Sequence, residues 1–293
     1  ELDYMYSILC NTSFVDLPSE NNVYDSENNI ESVWEVQFAD GKAKDDNPWL
    51  NGYYGAGAMN QQWFSPHTNS YKNHETHPLF YYEFESEGAP EPFDRDPRCF
   101  ATFYMDGDYM DFNPESPFYK EFKSLLNIKR IATGRNIPSP VGYGLGIKKN
   151  YFPVYWDGLL APMNDPVNKR VIRYADVLLM YAEVMYLLGD DGTGLQALNQ
   201  VRQRVDMPTI DNLTTEAIIH ERDVELAYEC HRWFDLVRWS FSPEWGINWD
   251  EIEWGIDEAN LVNPFIVGKH EFFPFPLSEI DIHGGSLEQN PGW

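Results

Sequence analysis

Between Asp40 and His77 the chain sets Trp49, Tyr53, Tyr54, Trp63 and Tyr71 among Asn51, Asn60, Gln61 and scattered Gly, Ser and Thr. That mixture has a definite chemistry. Flat aromatic faces stack on pyranose rings, and side-chain amides both donate to and accept from hydroxyls. Regular hydrophobic periodicity vanishes here, and a loop this long inside a folded chain is ordinarily functional or disordered. Its aromatic content argues against disorder, and binding residues concentrate on loops carried by a rigid scaffold. Trp49, Tyr53, Tyr54, Trp63 and Tyr71 are therefore the stacking candidates, and Asn51, Asn60 and Gln61 the hydrogen-bonding ones. The competing account is that these rings cap a hydrophobic cluster beneath the loop.

Catalytic chemistry leaves a weaker trace. With 47 acidic residues many carboxylate pairs exist, and a glycosidase needs only two flanking its bond. Asp94, Asp96, Asp106 and Asp108 sit near turn signals, where short acids serve turn geometry and solvation. His67, His74 and His77, seven and three residues apart, match no zinc-ligand spacing. No nucleophile elbow, metalloprotease helix motif, P-loop or dinucleotide fingerprint is present. The expectation is no catalytic constellation, no metal site and no cofactor.

The run from Arg170 to Trp239 must position the loops, because it alone has sustained helical order. Ile172, Ala175, Leu179, Ala182, Met185 and Tyr186 recur at steps of three or four, predicting one face of a helix from Arg170 to Asp190. Arg173, Asp176 and Glu183 interrupt it, so it reads as a buried amphipathic helix and not a membrane span. Gly189–Gly192 ends it. Leu195, Leu198, Val201, Arg202 and Val205 predict a second helix, which Pro208 stops. The pair has the length of one tetratricopeptide repeat, a unit that ordinarily stacks on neighbours. A third helix is predicted from Thr214, an N-cap with Glu216 in the first turn. It carries Glu221, Arg222, Glu225 and Glu229 at spacings that allow ion pairing.

Elsewhere Ser32 to Phe38 alternates as a half-buried strand, with Trp34 expected inward. Leu79–Glu85 reads as a short helix or strand, and Phe100–Met105 as a strand with a hairpin signal at Asp106–Gly107. Val141–Ile147 and Lys148–Tyr155 read as another extended pair. Trp245, Trp249 and Trp254 are expected to pack on helices, and Pro274 and Pro276 to keep the tail out of any central strand.

A hydrophobic share of 43% with 23% charged residues is globular, not disordered. The net charge of −26 repels phosphate backbones and anionic lipid, excluding nucleic-acid partners and electrostatic membrane docking. Cys10, Cys99 and Cys230 form no disulfide framework. Cys10 follows Ser7-Ile8-Leu9, a poor lipoprotein box because Leu9 is large and Glu1 and Asp3 are acidic.

The wording RYADVLLMYAEV, ALNQVRQR, ERDVELAYE and HRWFDLVRW resembles the C-terminal half of the SusD/RagB family. HEFFPFPLSEI and LEQNPGW are similar to that family's ending, while NNIESVWEVQF, Asp96-Pro97-Arg98 and GYGLGIKKNYFP fall in its order. Cys230 stands where the family usually has glycine. The resemblance implies a mainly α fold: a tetratricopeptide-like helical hairpin scaffold with long irregular loops and a few short strands. Residues 1–169 would be a loop-rich region bearing the ligand face, and 170–293 the C-terminal helical-repeat region with its extended tail. It further implies non-catalytic oligosaccharide capture on the outer membrane of a Gram-negative cell, for a SusC-like TonB-dependent transporter. The lipid anchor would sit on an N-terminal cysteine outside this chain, which then reads as a fragment. Two rivals stand beside this reading: a peptide-capturing relative, and a glycoside hydrolase.

Overall fold

The computed structural model describes residues 28, 31–38, 78–91, 93–104, 146–147, 149, 168–249, 252 and 265–293. Asp106–Gly107, Trp254 and most of Val141–Tyr155 lie outside them. The chain divides into two compact units, Glu1–Arg232 and Trp233–Trp293.

The first unit runs β1 (Ser32–Val36), α1 (Pro78–Glu83), α2 (Pro97–Thr102), β2 (Phe103–Tyr104), β3 (Gly146–Ile147), β4 (Lys169–Arg173), α3 (Tyr174–Leu187), α4 (Asp191–Gln203) and α5 (Thr215–Glu225). β1 pairs antiparallel with β4, and β2 with β3. The helical hairpin α3–α4 is the scaffold. α3 buries Ala175, Leu179 and Ala182 against α4's Ala197, Leu198 and Val201 side. Gly189, at φ 76°, turns the chain, and Asp190 caps α4 by accepting from the Thr193 amide at 3.2 Å. Close approach needs Gly194: a Cβ there would stand 2.5 Å from Leu213 Cδ2 and 2.9 Å from the Ala182 carbonyl oxygen. Thr214 caps α5 as expected, its hydroxyl accepting from the Ala217 amide at 3.1 Å.

Three local expectations change. Lys169–Arg173 is strand, not the first turn of a helix, because its backbone pairs with β1 and extended geometry lets Arg170 and Arg173 reach Glu35 and Glu31. Trp34 faces out at 56% exposure, and Glu35 is buried in its place. The β1–β4 register slips on both sides of Trp34, and the Glu35 carboxylate is gathered in by Arg170 (3.0 Å), Asn168 (3.1 Å) and the Asn28 amide (3.1 Å). Polar capture overrides simple alternation. Phe100–Thr102 belongs to α2, since Asp96 caps the Arg98 amide at 2.9 Å and Pro97 occupies the first turn; extended backbone starts only at Phe103.

The second unit opens with α6 (Arg232–Ser240) and a 3-10 turn at Pro243–Trp245, and ends with α7 (Leu277–Ile282). Trp245 stacks on Trp239 of α6 at 5.1 Å, and Trp249 lies 6.2 Å from Trp233, so both tryptophans pack on a helix as expected. The tail turns around α7 and forms no described strand, and side chains lock it. Gln289 bonds both the amide (2.8 Å) and the carbonyl (2.9 Å) of Phe275, and the Trp293 indole donates to the Lys269 and Phe272 carbonyls at 3.0 Å.

Between α5 and α6 the chain turns through Tyr228 at φ 60° and Cys230 at φ 70°. A side chain in this left-handed region costs roughly 1–2 kcal/mol, part of which glycine returns as extra freedom of the unfolded chain. Cys230 is exposed, so little burial offsets that. Cys230→Gly is therefore expected to stabilise the protein by about 0.5–1 kcal/mol, and Cys230→Val to destabilise it. Urea unfolding midpoints decide; equal midpoints for all three proteins refute the strain.

Candidate functional site

Trp49, Asn51, Tyr53, Tyr54, Asn60, Gln61, Trp63 and Tyr71 lie outside the described residues, as do His67, His74, His77, Asp106 and Asp108. The described chain resumes at α1. α1 follows His77 directly and is fixed by two kinds of contact. On its apolar side Phe80 and Phe84 meet Phe103 edge to face at 6.0 and 5.5 Å, over buried Cys99 and Val224. Tyr82 stays exposed, with the Arg95 guanidinium 5.7 Å from its ring and 4.6 Å from that of Tyr81.

On the polar side lies a buried ion network that joins seven separate parts of the chain. Its centre is Glu225, at the end of α5. Glu225 takes Arg173 Nη1 at 2.6 Å, Arg98 Nη1 at 3.1 Å and the Arg204 guanidinium. Arg98 also clasps Asp96 through two nitrogens, the shorter contact 2.6 Å, and reaches Glu221. Arg202 joins Glu221 (2.9 Å) to Glu85 (2.7 Å). Arg173 spans Glu229 (2.7 Å) and Glu31 (3.2 Å), and Lys149 bonds Glu229 at 2.5 Å and the Glu225 carbonyl at 2.8 Å. Glu31 also serves the backbone of α3. Its carbonyl accepts from the Tyr174 amide at 2.7 Å and its carboxylate from the Ala175 amide at 3.0 Å, capping that helix from outside its own segment. Apart from this web, Arg222 of α5 pairs with Asp176 of α3 at 3.0 Å.

The electrostatics suit a scaffold. Burial raises the Glu225 carboxyl, but the Arg204, Arg173 and Arg98 charges outweigh it and hold the group far below the usual carboxylate range. Glu229, raised by burial and lowered more strongly by Arg173 and Lys149, is held at about 2. Glu85 is also held at about 2, chiefly by its contact with His220, with Arg202 assisting against burial. A general acid at neutral pH needs a carboxyl tuned upward; these three are tuned the other way. Burial pushes the Cys99 thiol up, which removes its thiolate. Among the described residues no group of three His, Cys, Asp or Glu side chains is disposed to hold a metal ion, and no helix is long and apolar enough to cross a membrane.

The ion pairing expected of Glu221, Glu225 and Glu229 is present, but their partners are distant arginines and not neighbours along one helix. α5 stops at Glu225, so Glu229 acts from the turn beyond it. Arg98, Lys149, Arg202 and Arg204 carry no role in the sequence reading. One signal was present: Arg202 occupies the same face as Leu198, Val201 and Val205, and a cation on a core face needs a buried anion.

A family model for the SusD family matches residues 24–293. A SusD-like protein of Bacteroides ovatus is 38% identical over 104 residues, 33% of this chain and 19% of that protein. Among solved structures, surface glycan-binding protein A from Bacteroides thetaiotaomicron superposes with a TM-score of 0.62 at 21% identity, covering 99% of this chain and 60% of the other. That protein is also solved with laminarihexaose. A laminarin-binding SusD-like protein gives 0.61 at 24% identity, covering 98% and 53%. This chain thus spans little more than half the length of those two proteins.

Removing one carboxylate from the network strands several cations, and breaking a buried pair this way costs about 3–5 kcal/mol. Glu225→Gln should lose that much in urea unfolding, against less than about 0.5 kcal/mol for the exposed Glu91→Gln; equal small losses would show the network to be dispensable. Acid tests the same web. Glu229 and Glu85 have folded pKa values near 2 against an ordinary 4.5, so their contribution is complete above 4.5 and is lost as pH falls toward 2. The melting temperature should drop through that window, and less steeply for Glu229→Gln.

Proposed function

The chain belongs to the SusD family, and from that premise we propose that it captures oligosaccharide at a bacterial cell surface and does not cleave it. The observation that carries this is the likeness, along almost the whole chain, to proteins solved as surface glycan-binding and laminarin-binding. The aromatic and amide residues between Asp40 and His77 suit the same ligand, because stacking and amide hydrogen bonds read a neutral polyol without charge. In this reading residues 1–169 present the ligand face and 170–293 supply the scaffold. The captured glycan passes to a SusC-like TonB-dependent transporter in the outer membrane, with the protein held there by a lipid anchor. No cofactor takes part.

The carboxylates whose surroundings are known favour binding over hydrolysis, since Glu225, Glu229 and Glu85 are all held ionised by cations.

Incubation with a panel of plant, host and microbial polysaccharides tests the proposal, read by tryptophan fluorescence for binding and by reducing-end release for cleavage. Binding without new reducing ends is the expected outcome. New reducing ends that survive repeated purification would overturn it in favour of a hydrolase, and binding of basic peptides alone would replace the ligand class. For the glycan that binds, Trp63→Ala should weaken affinity by about 1–3 kcal/mol, the usual loss for a buried aromatic anchor. An unchanged Kd removes Trp63 from the site.

A further inference from the structure

His220 stands on α5 where α1 meets the core. Its Nε2 lies 3.1 Å from Glu85 Oε1 and its Nδ1 3.9 Å from Glu83 Oε2. Glu83 is the last residue of α1 and Glu85 lies two residues beyond it, so one imidazole stands beside the exit of that helix with both ring nitrogens. Among the described residues the charged groups near His220 are Glu83 and Glu85 at and beyond the end of α1, Arg202 from α4, Arg98 from α2, and Glu221 on its own helix. Carboxylates and guanidinium groups ordinarily keep their charge between pH 6 and 9, whereas imidazole does not. Arg202 binds Glu85 permanently, through 2.7 and 3.1 Å contacts. The proton on His220 is the variable part of this junction.

From this geometry we infer that His220 is a proton-operated clamp that sets how firmly the end of α1 is held to the helical core. Protonated, the imidazolium pairs by charge with Glu85 at 3.1 Å and Glu83 at 3.9 Å, without an aligned hydrogen bond from Nε2. Deprotonated, one nitrogen turns a lone pair toward a carboxylate and the ion pairing is gone. The apolar contacts of Phe80 and Phe84 remain in either state, so the clamp adjusts α1 without releasing it. His220 and Glu85 are both partly exposed, although Nε2 itself is buried.

The sign follows from the surroundings. Burial lowers the imidazole pKa, but the Glu85 contact and the charges of Glu221 and Glu85 outweigh it, and the net shift is upward from 6.5. A raised folded pKa gives a contribution that is complete below 6.5 and is lost as pH climbs through the folded value. The clamp is closed in mildly acidic medium and opens on the alkaline side.

Hydrogen exchange of the Phe80–Glu85 segment at pH 6.0 and 8.5, corrected for intrinsic exchange, tests the clamp without any ligand. In the wild type, protection there should fall several-fold at the higher pH while the α3–α4 hairpin stays constant. His220→Gln should show the lower protection at both pH values. Glu85→Gln should move the step toward the ordinary imidazole value. Equal wild-type protection at the two pH values, or a step that survives in His220→Gln, overturns the clamp.

Discussion

The carboxylate of Glu225 has no exposed side-chain surface, yet it is ionised, because three arginines close on it from different directions. Moving such a charge out of water costs several kcal/mol, and only near-complete pairing returns that cost. The pairing cannot be local. Arg98 is presented by α2, Arg173 by the junction of β4 and α3, and Arg204 by the end of α4. No helix on its own stabilises Glu225, and each helix that arrives leaves the others less able to depart. The first unit is therefore held by an all-or-none electrostatic condition laid over modest apolar clusters, such as Phe84, Cys99, Phe103 and Val224, or Ala101, Val205 and Met207.

That condition explains why the blocks carrying the family resemblance lie so far apart. Glu31 and Glu35 come from the NNIESVWEVQF block, Asp96 and Arg98 from the short Asp-Pro-Arg turn, and Lys149 from the GYGLGIKKNYFP block. Arg173, Arg202, Arg204, Glu221, Glu225 and Glu229 come from the helical runs. Along the chain these are unrelated fragments; in the folded unit they are partners in a few shared contacts. A buried polar network tolerates few substitutions because each vacancy leaves a desolvated charge behind.

For a capture protein of the kind proposed, such a core separates two demands. Ligand recognition needs adaptable loops, and adaptable loops need a frame that does not yield with them. α1 is where the two meet, joined to the frame by phenylalanines on one side and by carboxylates on the other. The tail of the second unit obeys the same logic on a smaller scale, with Gln289 and Trp293 satisfying main-chain groups that no strand supplies.

Much of the scaffold was legible from local order. Periodicity and capping residues by themselves determined the α3–α4 hairpin, the Gly189 turn and the start of α5 at Thr214, because helix faces and helix ends are written in residues three or four apart. The aromatic and amide chemistry between Asp40 and His77 could be read as a ligand-binding candidate, but not as a geometry. Tertiary structure alone decided that Arg170 and Arg173 extend instead of coiling, that Trp34 turns outward while Glu35 goes in, and that Glu225 gathers arginines from three elements. The physical reason is range. Hydrophobic periodicity records which side of an element is buried, whereas a buried charge records only that a partner must exist, and its partner was up to 173 residues away.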